Sequence, residues 1–567
     1  MINNKTNFKL RYFLMLGLVG ALMTVLAARL FDLQIVEQKF LRTQGDLRTL
    51  RTVSTPAHRG MILDRAGEPL AISTEVKSVW ANPQKINLED NSLHTLAKLL
   101  NMDLHSIVNK LKANFNKEFV YLKRHVNPAT AIKIKSLQIA GIELQTEYKR
   151  FYPTAEVDAQ VLGSTDIDDN GKEGLELAYN SWLTGTVGKR KVLKDRLGRE
   201  IKYLETIQEQ DAGKDLVTSI DQRLQYLAYR ELKQALDSNA AVSGSAVVLD
   251  VTTGEVLAMV NLPSFNPNVR GNSAYTSERK NQAVTDFMEP GSVAKALSLI
   301  SVLERGEVGI NTEVDTSPGI LKVKGGVVRD PRNLGKIDLA TILLKSSNIG
   351  ITKLILKYPA SNLWDIYDRL GFGVSTGSGF PGESAGILNV PHKDRPFVLA
   401  TMSFGYGFAV TPLQLARGYA IVGAHGVKRP TTFARVDEPL PGVQVISPRI
   451  AREVVDLLTV VAKGYKSADV PGYNIAGKSG TTRKLGKNGY DKSKHRAVFA
   501  GLAPAINPKF SIVVTIDQPS AGKYYASEVV APAFAKIASG ALRFFNVQPD
   551  LMHTQGVFIA KGGNNHS

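Results

Sequence analysis

The chain opens on one long apolar run and then settles into short alternating segments. Lys5, Lys9 and Arg11 precede an uncharged stretch over residues 12–28. Arg29 interrupts it, and Leu30, Phe31, Leu33, Ile35 and Val36 continue its apolar character. A stretch of that length sits at the lower limit for crossing about 30 Å of hydrocarbon. The positive flank lies on the N-terminal side. It predicts a cytoplasmic tail over residues 1–11, a single transmembrane helix over residues 12–31 and export of the rest. A signal peptide cleaved near Val25-Leu26-Ala27 is the alternative.

Residues 40–235 mix short strands and helices, punctuated by polar turns such as Asp168-Asp169-Asn170-Gly171. Over residues 92–111, Leu96, Leu99, Leu100, Leu104 and Val108 fall on one helical face, with Ser92 as a candidate cap. Residues 241–261 read as a hairpin: apolar 246–249, a turn at Thr252-Thr253-Gly254, then apolar 256–260. Two further strands are predicted at 496–502 and 510–516, with helices at 292–303 and 448–463 between. Strands first, helices in the middle and strands last predict an antiparallel sheet closed by both ends of one domain, with helices packed on it. The fold class is therefore α+β. The expected order is a membrane anchor, a non-catalytic domain over 40–235, a second domain over 240–546 and a flexible tail over 547–567.

Composition narrows the chemistry. Apolar residues make up 43% and charged residues 22% of 567, which is globular and long enough for several domains. Cysteine is absent, which excludes disulfides, thiolate metal sites and a cysteine nucleophile. The nine histidines form no metal-ligand spacing, so neither metal nor cofactor is expected. The net charge of +18 falls mostly after residue 240, with seven Lys/Arg between Lys478 and Arg496. No nucleic-acid motif accompanies it, so no nucleic-acid partner is expected. The cluster reads either as a steering field for anionic substrates or as a solvated hairpin.

Three short motifs carry candidate chemistry. In Glu289-Pro290-Gly291-Ser292-Val293-Ala294-Lys295, the Pro-Gly pair ends a loop and the rest forms helix. Ser292 then sits at a helix start, where the dipole favours developing negative charge. Lys295 follows one turn later on the same face. It can serve as a base if burial or a second cation lowers its pKa. In Lys345-Ser346-Ser347-Asn348, Ser346 offers a hydroxyl that relays a proton. Asn348 offers an amide that holds a substrate peptide or orients the lysine. In Ala476-Gly477-Lys478-Ser479-Gly480-Thr481-Thr482, Lys478 brings charge, Ser479 and Thr481 bring hydroxyls, and Gly480 permits close approach of a substrate backbone. Each motif alone is commonplace. Together and in this order, Ser-x-x-Lys, Ser-x-Asn and Lys-Ser/Thr-Gly are the signature of penicillin-recognising acyltransferases.

The chain resembles the class B penicillin-binding proteins over nearly its whole length. Residues 59–67 (Arg59-Gly60-Met61-Ile62-Leu63-Asp64-Arg65-Ala66-Gly67) resemble the first motif of the family's non-catalytic region. Arg150-Phe151-Tyr152-Pro153, Gly174-Leu175-Glu176 and Asp195-Arg196-Leu197-Gly198 resemble its later ones. Asn266-Pro267-Asn268 and Ser403-Phe404-Gly405-Tyr406-Gly407 resemble stretches of its catalytic domain. The third motif has serine where many relatives have threonine, which keeps the hydroxyl.

The resemblance implies a serine β-lactamase-like transpeptidase domain after a pedestal that docks partners. It implies a D,D-transpeptidase of septal peptidoglycan, in the inner membrane with its catalytic domain periplasmic. Its substrates are stem peptides ending in D-Ala-D-Ala, and β-lactams mimic them. Ser292 is then the nucleophile and Lys295 the base for acylation. Ser346 passes a proton to the leaving amine with Lys478 assisting, and Asn348 holds the substrate amide. The N–H groups of Ser292 and Thr481 form the oxyanion hole, and Ser479 and Thr481 bind the terminal carboxylate. Implied partners are the membrane glycosyltransferase FtsW and other division proteins. An elongation-specific relative and a mainly scaffolding protein are the alternatives. A hydrolase of the same fold needs a deacylating glutamate. Glu383 lies in a Gly/Pro-rich loop, and Ala385 occupies the glutamate position before Leu388-Asn389.

Overall fold

The computed structural model describes residues 5–194, 200–269, 277–392, 394–486 and 489–550. The motif at 195–198 and most of the tail after 547 lie outside the described residues. The chain divides into two compact units.

One unit comprises residues 1–58 and 185–213. It contains the helix Lys5–Phe31, a π-helical turn Asp32–Val36 and the helix Gln38–Thr49. Residues Phe8–Val36 have a mean hydropathy of 2.1 and bury none of their apolar window. One apolar N-terminal helix of this length fits a single-pass membrane anchor. Arg29 and Asp32 pair at the π turn. A three-stranded antiparallel sheet completes the unit, with Gly188–Lys194 between Leu50–Thr55 and Glu200–Gln208. Residues 185–213 thus share a unit with the anchor rather than with the rest of the expected 40–235 domain.

The second unit comprises residues 59–184 and 214–567. In its N-terminal part the long strand Pro69–Ala81 pairs antiparallel with Val120–Val126 and Ile142–Phe151. The helix expected over 92–111 is two helices, Ser92–Leu100 and Leu104–Ala113. Asn101 ends the first in the left-handed region (φ 49°), and the Asp103 carboxylate caps the second through Ser106 N–H. Ser92 is the first helical residue, and Asn91 precedes it as the cap position. Of the apolar stripe read from sequence, Leu96 and Leu100 bury in one cluster and Leu99 and Leu104 pack against it, but in the second helix Ile107 and Leu111 take the buried positions instead of Val108.

Three of the family-like motifs meet in a buried ionic core. Arg59 donates through Nε and Nη2 to Glu176 Oε2, at 2.9 and 2.7 Å. Arg150 Nε donates to Glu176 Oε1 at 2.6 Å. Arg59 is 3% exposed, and Arg150 and Glu176 are essentially closed to solvent. Asp64 also points inward, accepting from Ala66 and Glu68 N–H. Arg59 and Asp64 thus take part in the internal bonding of this part of the fold. The Tyr152 backbone exchanges two hydrogen bonds with the Asn268 side chain, at 3.0 and 2.9 Å, tying this part to the following domain.

That domain is built on a five-stranded antiparallel sheet: β1 (Ser243–Asp250), β2 (Val256–Leu262), β3 (Ala476–Gly486), β4 (Gly489–Ala503) and β5 (Phe510–Asp517), in the order β2-β1-β5-β4-β3. Both ends of the domain supply strands, as the segment order predicts. Period-two alternation makes both faces apolar. Ala246, Val248, Ile512 and Val514 face α1 (Gln222–Ser238) and α6 (Ala531–Phe544). Val247, Leu249 and Val513 face α2 (Ala294–Leu303), α4 (Pro412–Gly423) and α5 (Pro448–Lys463). α5 starts at Pro448 behind the Ser447 cap, matching the sequence reading. α1 lies wholly before residue 240 yet packs on the sheet, because Leu224, Ala228, Leu232 and Leu236 form its buried stripe. The packing of this domain thus begins earlier than the 240 boundary.

Two substitutions test the charge balance of the N-terminal part. Glu176→Ala strands two buried guanidinium groups and should lower the unfolding free energy of the full chain by about 3–5 kcal/mol in denaturant titration. Asp158 is buried, and neither of its carboxylate oxygens has a hydrogen-bond partner among the described residues. Burial first, then the Asp64 charge, pushes its pKa up to about 6, with Thr154 pulling the other way. A carboxyl raised above its unfolded value destabilises the fold once ionised, so the cost grows as pH rises from about 4 to 6. Asp158→Asn should gain about 3 kcal/mol over wild type at pH 7.5 relative to the same comparison at pH 3.5.

Candidate active site

The site forms where α2, the junction before α3 (Asn348–Ile355) and the edge strand β3 converge. Ser292 lies in the 3-10 turn Gly291–Val293 that leads into α2. Gly291 turns at φ +60°, and a Cβ there would reach Thr482 Cγ2 at 2.3 Å. Gly405 closes the other side: its carbonyl accepts from Gly291 N–H at 2.9 Å, and a Cβ on it would meet Gly291 O at 2.0 Å. Ser403-Phe404-Gly405-Tyr406-Gly407 thus packs against the turn that carries Ser292.

Lys295 sits in the first turn of α2, whose residues are all buried, and is itself 0% exposed. Its Nζ lies 3.2 Å from Ser292 Oγ, 3.0 Å from Ser346 Oγ, 2.6 Å from Ser346 O and 2.8 Å from Asn348 Oδ1. Ser346 Oγ donates to Ser292 Oγ at 2.8 Å. Burial, then the Lys478 charge, holds the Lys295 pKa well below its ordinary value, with Asp330 opposing. An amine that gives up its proton this readily can take the proton of Ser292.

Ser346 has φ +56°, a strained position for a non-glycine residue. It lies between the helix Leu339–Leu344 and α3, which begins behind the Ser347 cap. The neighbouring Asp330 carboxylate clamps this junction. It accepts from Ser347 Oγ, from Asn348 N–H at 2.6 Å and from Ile349 N–H at 3.1 Å. The sequence reading missed Asp330, because no motif surrounds Arg329-Asp330-Pro331.

The third motif runs along β3, the sheet's edge. Lys478, Gly480 and Thr482 are buried, while Ser479 and Thr481 point to the more open side of the pleat. A Cβ on Gly480 would approach Pro290 O and Val293 N to 3.2 Å, so this strand edge lies against the nucleophile turn. Thr481 Oγ1 accepts from Ala526 N–H at 3.0 Å. Lys478 is 1% exposed, and its Nζ donates to Tyr465 OH at 3.2 Å and Ser479 O at 2.8 Å. Among the described residues it makes no hydrogen bond to Ser292 or Ser346. The structure thus brings Ser292, Lys295, Ser346 and Asn348 into direct contact and sets Lys478 beside them, turned to a tyrosine that no motif contains.

Glu383 accepts from Thr376 N–H at 2.7 Å and from Ser378 Oγ at 3.0 Å, which braces its own loop. It makes no hydrogen bond to Ser292 among the described residues. In the basic hairpin, Lys484 pairs with Asp517 at 2.5 Å, as does Arg496 at 3.2 Å, so part of that charge is neutralised. No group of three or more potential metal ligands occurs among the described residues.

The penicillin binding protein transpeptidase domain family matches residues 244–539, more than half of the chain. The chain belongs to the class B penicillin-binding proteins. The Penicillin-binding Protein dimerisation domain family matches residues 54–218. The peptidoglycan D,D-transpeptidase FtsI of Escherichia coli K12 is 42% identical over 552 residues, covering 96% of this chain and 93% of the relative. The probable peptidoglycan D,D-transpeptidase PenA of Neisseria gonorrhoeae is 39% identical, covering 94% of this chain and 92% of the relative. Among solved structures, penicillin binding protein 3 of Mycobacterium tuberculosis in complex with aztreonam superposes with a TM-score of 0.67 at 26% identity. That match covers 88% of this chain and 98% of the other. The transpeptidase domain of Burkholderia pseudomallei penicillin-binding protein 3 matches at 37% identity with a TM-score of 0.54, covering 59% of this chain and 97% of that one.

The depressed Lys295 pKa fixes a sign. Acylation of this class of site falls only when pH drops below the folded pKa and the amine keeps its proton. The acid limb of the penicillin acylation rate should therefore lie well below the ordinary lysine value of about 10.4. Lys295→Arg, which cannot lose a proton, should slow acylation by about 10²–10⁴-fold across the whole range, read with a fluorescent penicillin.

Proposed function

We infer that this chain is a peptidoglycan D,D-transpeptidase that crosslinks stem peptides during cell division. The observation that carries the reading is the meeting of Ser292 Oγ, Ser346 Oγ and Asn348 Oδ1 around one buried amine, Lys295 Nζ, all within 3.2 Å. Residues 54 positions apart supply the two hydroxyls. The relatives named peptidoglycan D,D-transpeptidase FtsI support this reading.

Ser292 Oγ attacks the carbonyl carbon of the penultimate D-Ala of a stem pentapeptide, and its proton passes to Lys295 Nζ. The tetrahedral oxyanion faces the backbone N–H groups of Ser292 and Thr481. The carbon–nitrogen bond breaks, and terminal D-Ala leaves as its amine takes a proton through Ser346. Asn348 fixes the substrate amide and, through Oδ1, Lys295 itself. Ser479 and Thr481, beside Gly480, receive the terminal carboxylate, with the Lys478 charge behind them. An amine of a second stem then attacks the Ser292 ester, which forms the crosslink and returns the proton to Ser292. A β-lactam enters the first step, opens its ring and stays on Ser292.

The anchor is single-pass in the inner membrane with residues 1–11 cytoplasmic, and the catalytic domain is periplasmic. The chain carries no recognised glycosyltransferase motif, so glycan polymerisation falls to a partner of the FtsW type, alongside other division proteins.

Ser292→Ala separates catalysis from recruitment. Wild type mixed with labelled penicillin should gain one adduct, on the peptide containing Ser292, by intact-mass and peptide analysis. The variant should gain none and still reach the septum, and cells depleted of the chain should filament. Labelling that survives Ser292→Ala would overturn the nucleophile, and round cells on depletion would move the role to elongation.

A further inference from the structure

The third-motif lysine is a buried cation without a counter-charge. Lys478 is 1% exposed and forms no ion pair among the described residues. An ammonium has three donors, and burying one requires compensation. Two are used: one on Ser479 O, the other on the phenol oxygen of Tyr465. The third is left for a ligand, and the missing charge defines that ligand as an anion.

Tyr465 follows α5 and is held there on two sides. Its N–H donates to Ala462 O at 2.9 Å, and its ring meets Phe499 edge-on, with centroids 5.8 Å apart at 77°. The Lys478 ammonium lies 5.8 Å from the centre of the same ring, off its hydroxyl end, so the oxygen is the part of Tyr465 that serves the cation. We propose that Tyr465 is a positioning residue of the acyl-transfer site: its phenol oxygen fixes the Lys478 ammonium beside Ser479, so that a set cation and hydroxyl meet the substrate's terminal carboxylate. The proposal rests on the transpeptidase reading above. It adds a residue that none of the three motifs contains.

The electrostatics of Tyr465 agree. Burial disfavours its phenolate, but the Lys478 charge and hydrogen bonds with Ser479 and Lys478 outweigh it and hold the phenol below its ordinary pKa. The oxygen therefore carries the electron density that an acceptor for a buried ammonium needs. Tyr465 also lies near Tyr419, whose hydroxyl donates to Val293 O at 2.8 Å, one residue past Ser292. Both tyrosines thus stand behind the reacting groups, one on the nucleophile turn and one on the carboxylate end.

Tyr465→Phe keeps the ring on Phe499 and removes only the oxygen. The full chain in detergent is acylated with benzylpenicillin, which bears the carboxylate, and with its neutral methyl ester. A lost hydrogen bond to a charged group should slow the free acid about tenfold. The ester should change by less than about twofold, so the acid-to-ester rate ratio falls about tenfold. The thermal midpoint, measured alongside, should stay at the wild-type value. An equal loss for acid and ester would reduce Tyr465 to packing and overturn the proposal, as would an unchanged ratio. A wild type that neither compound acylates would remove the transpeptidase reading itself, whereas a reactive wild type with an unchanged variant removes only the role of Tyr465.

Discussion

The structure depends on one costly placement: an amine at 0% exposure in the first turn of a fully buried helix. Water cannot solvate Lys295 there, so protein oxygens must. Ser292, Ser346 and Asn348 supply them from two segments that are distant in sequence. A second buried ammonium, Lys478, raises the cost of keeping Lys295 charged. Two like charges in a low-dielectric site are resolved most cheaply when one releases its proton. Desolvation and repulsion thereby lower the proton affinity of Lys295, as the proposed role of a base requires. Asp330 limits this effect, since its charge favours protonated Lys295 while its oxygens hold the Ser346–Asn348 junction.

The sheet makes that arrangement rigid. β3 is its edge strand, and its outer side lies against the nucleophile turn rather than against another strand. Helices on both faces bury β1, β4 and β5, so β3 inherits a fixed position. Glycine at 480 and 405 lets two backbones approach within contact of Gly291–Val293, where a side chain would crowd them. Ser292 is thus confined by main chain as much as by side chains, which suits the proposed reaction, in which an oxyanion must meet N–H groups at fixed positions.

How much of this was legible follows from the range of the interactions. The hairpin of β1 and β2 and the helix α5 could be read because alternation, turn residues, Pro448 and the Ser447 cap are local signals. The break at Asn101 and Asp103 was also local, but continuous leucine periodicity masked it. The apolar stripe of α1 is amphipathic in either setting, so sequence alone did not say which sheet it covers. Ser292, Lys295, Ser346 and Asn348 were legible only as a recurrent set of motifs. Asp330 and Tyr465 belong to no set, and only the folded chain brings them to the site. The motifs at Arg59, Arg150 and Glu176 were visible as a resemblance, yet their meaning, one shared buried ion pair, needed the geometry.

Buried charge separates the scaffold of this chain from its chemistry. Around Glu176, one carboxylate meets two guanidinium groups through oriented hydrogen bonds, and further oxygens take other donors, while Arg150 Nη2 has no partner among the described residues. Such a cluster gains geometric definition and is costly to break. Around Ser292, two amines share a pocket with hydroxyls, an amide and a phenol, and neither has an ion-pair partner among the described residues. Left uncompensated, that charge would weigh against the fold, and evolution toward stability alone would replace it with apolar side chains. It is tolerable where substrate supplies the balance: in the proposed mechanism, a carboxylate arriving at Lys478 provides the missing counter-charge. The cost borne by the resting site is therefore offset on binding and appears as affinity for an anionic group.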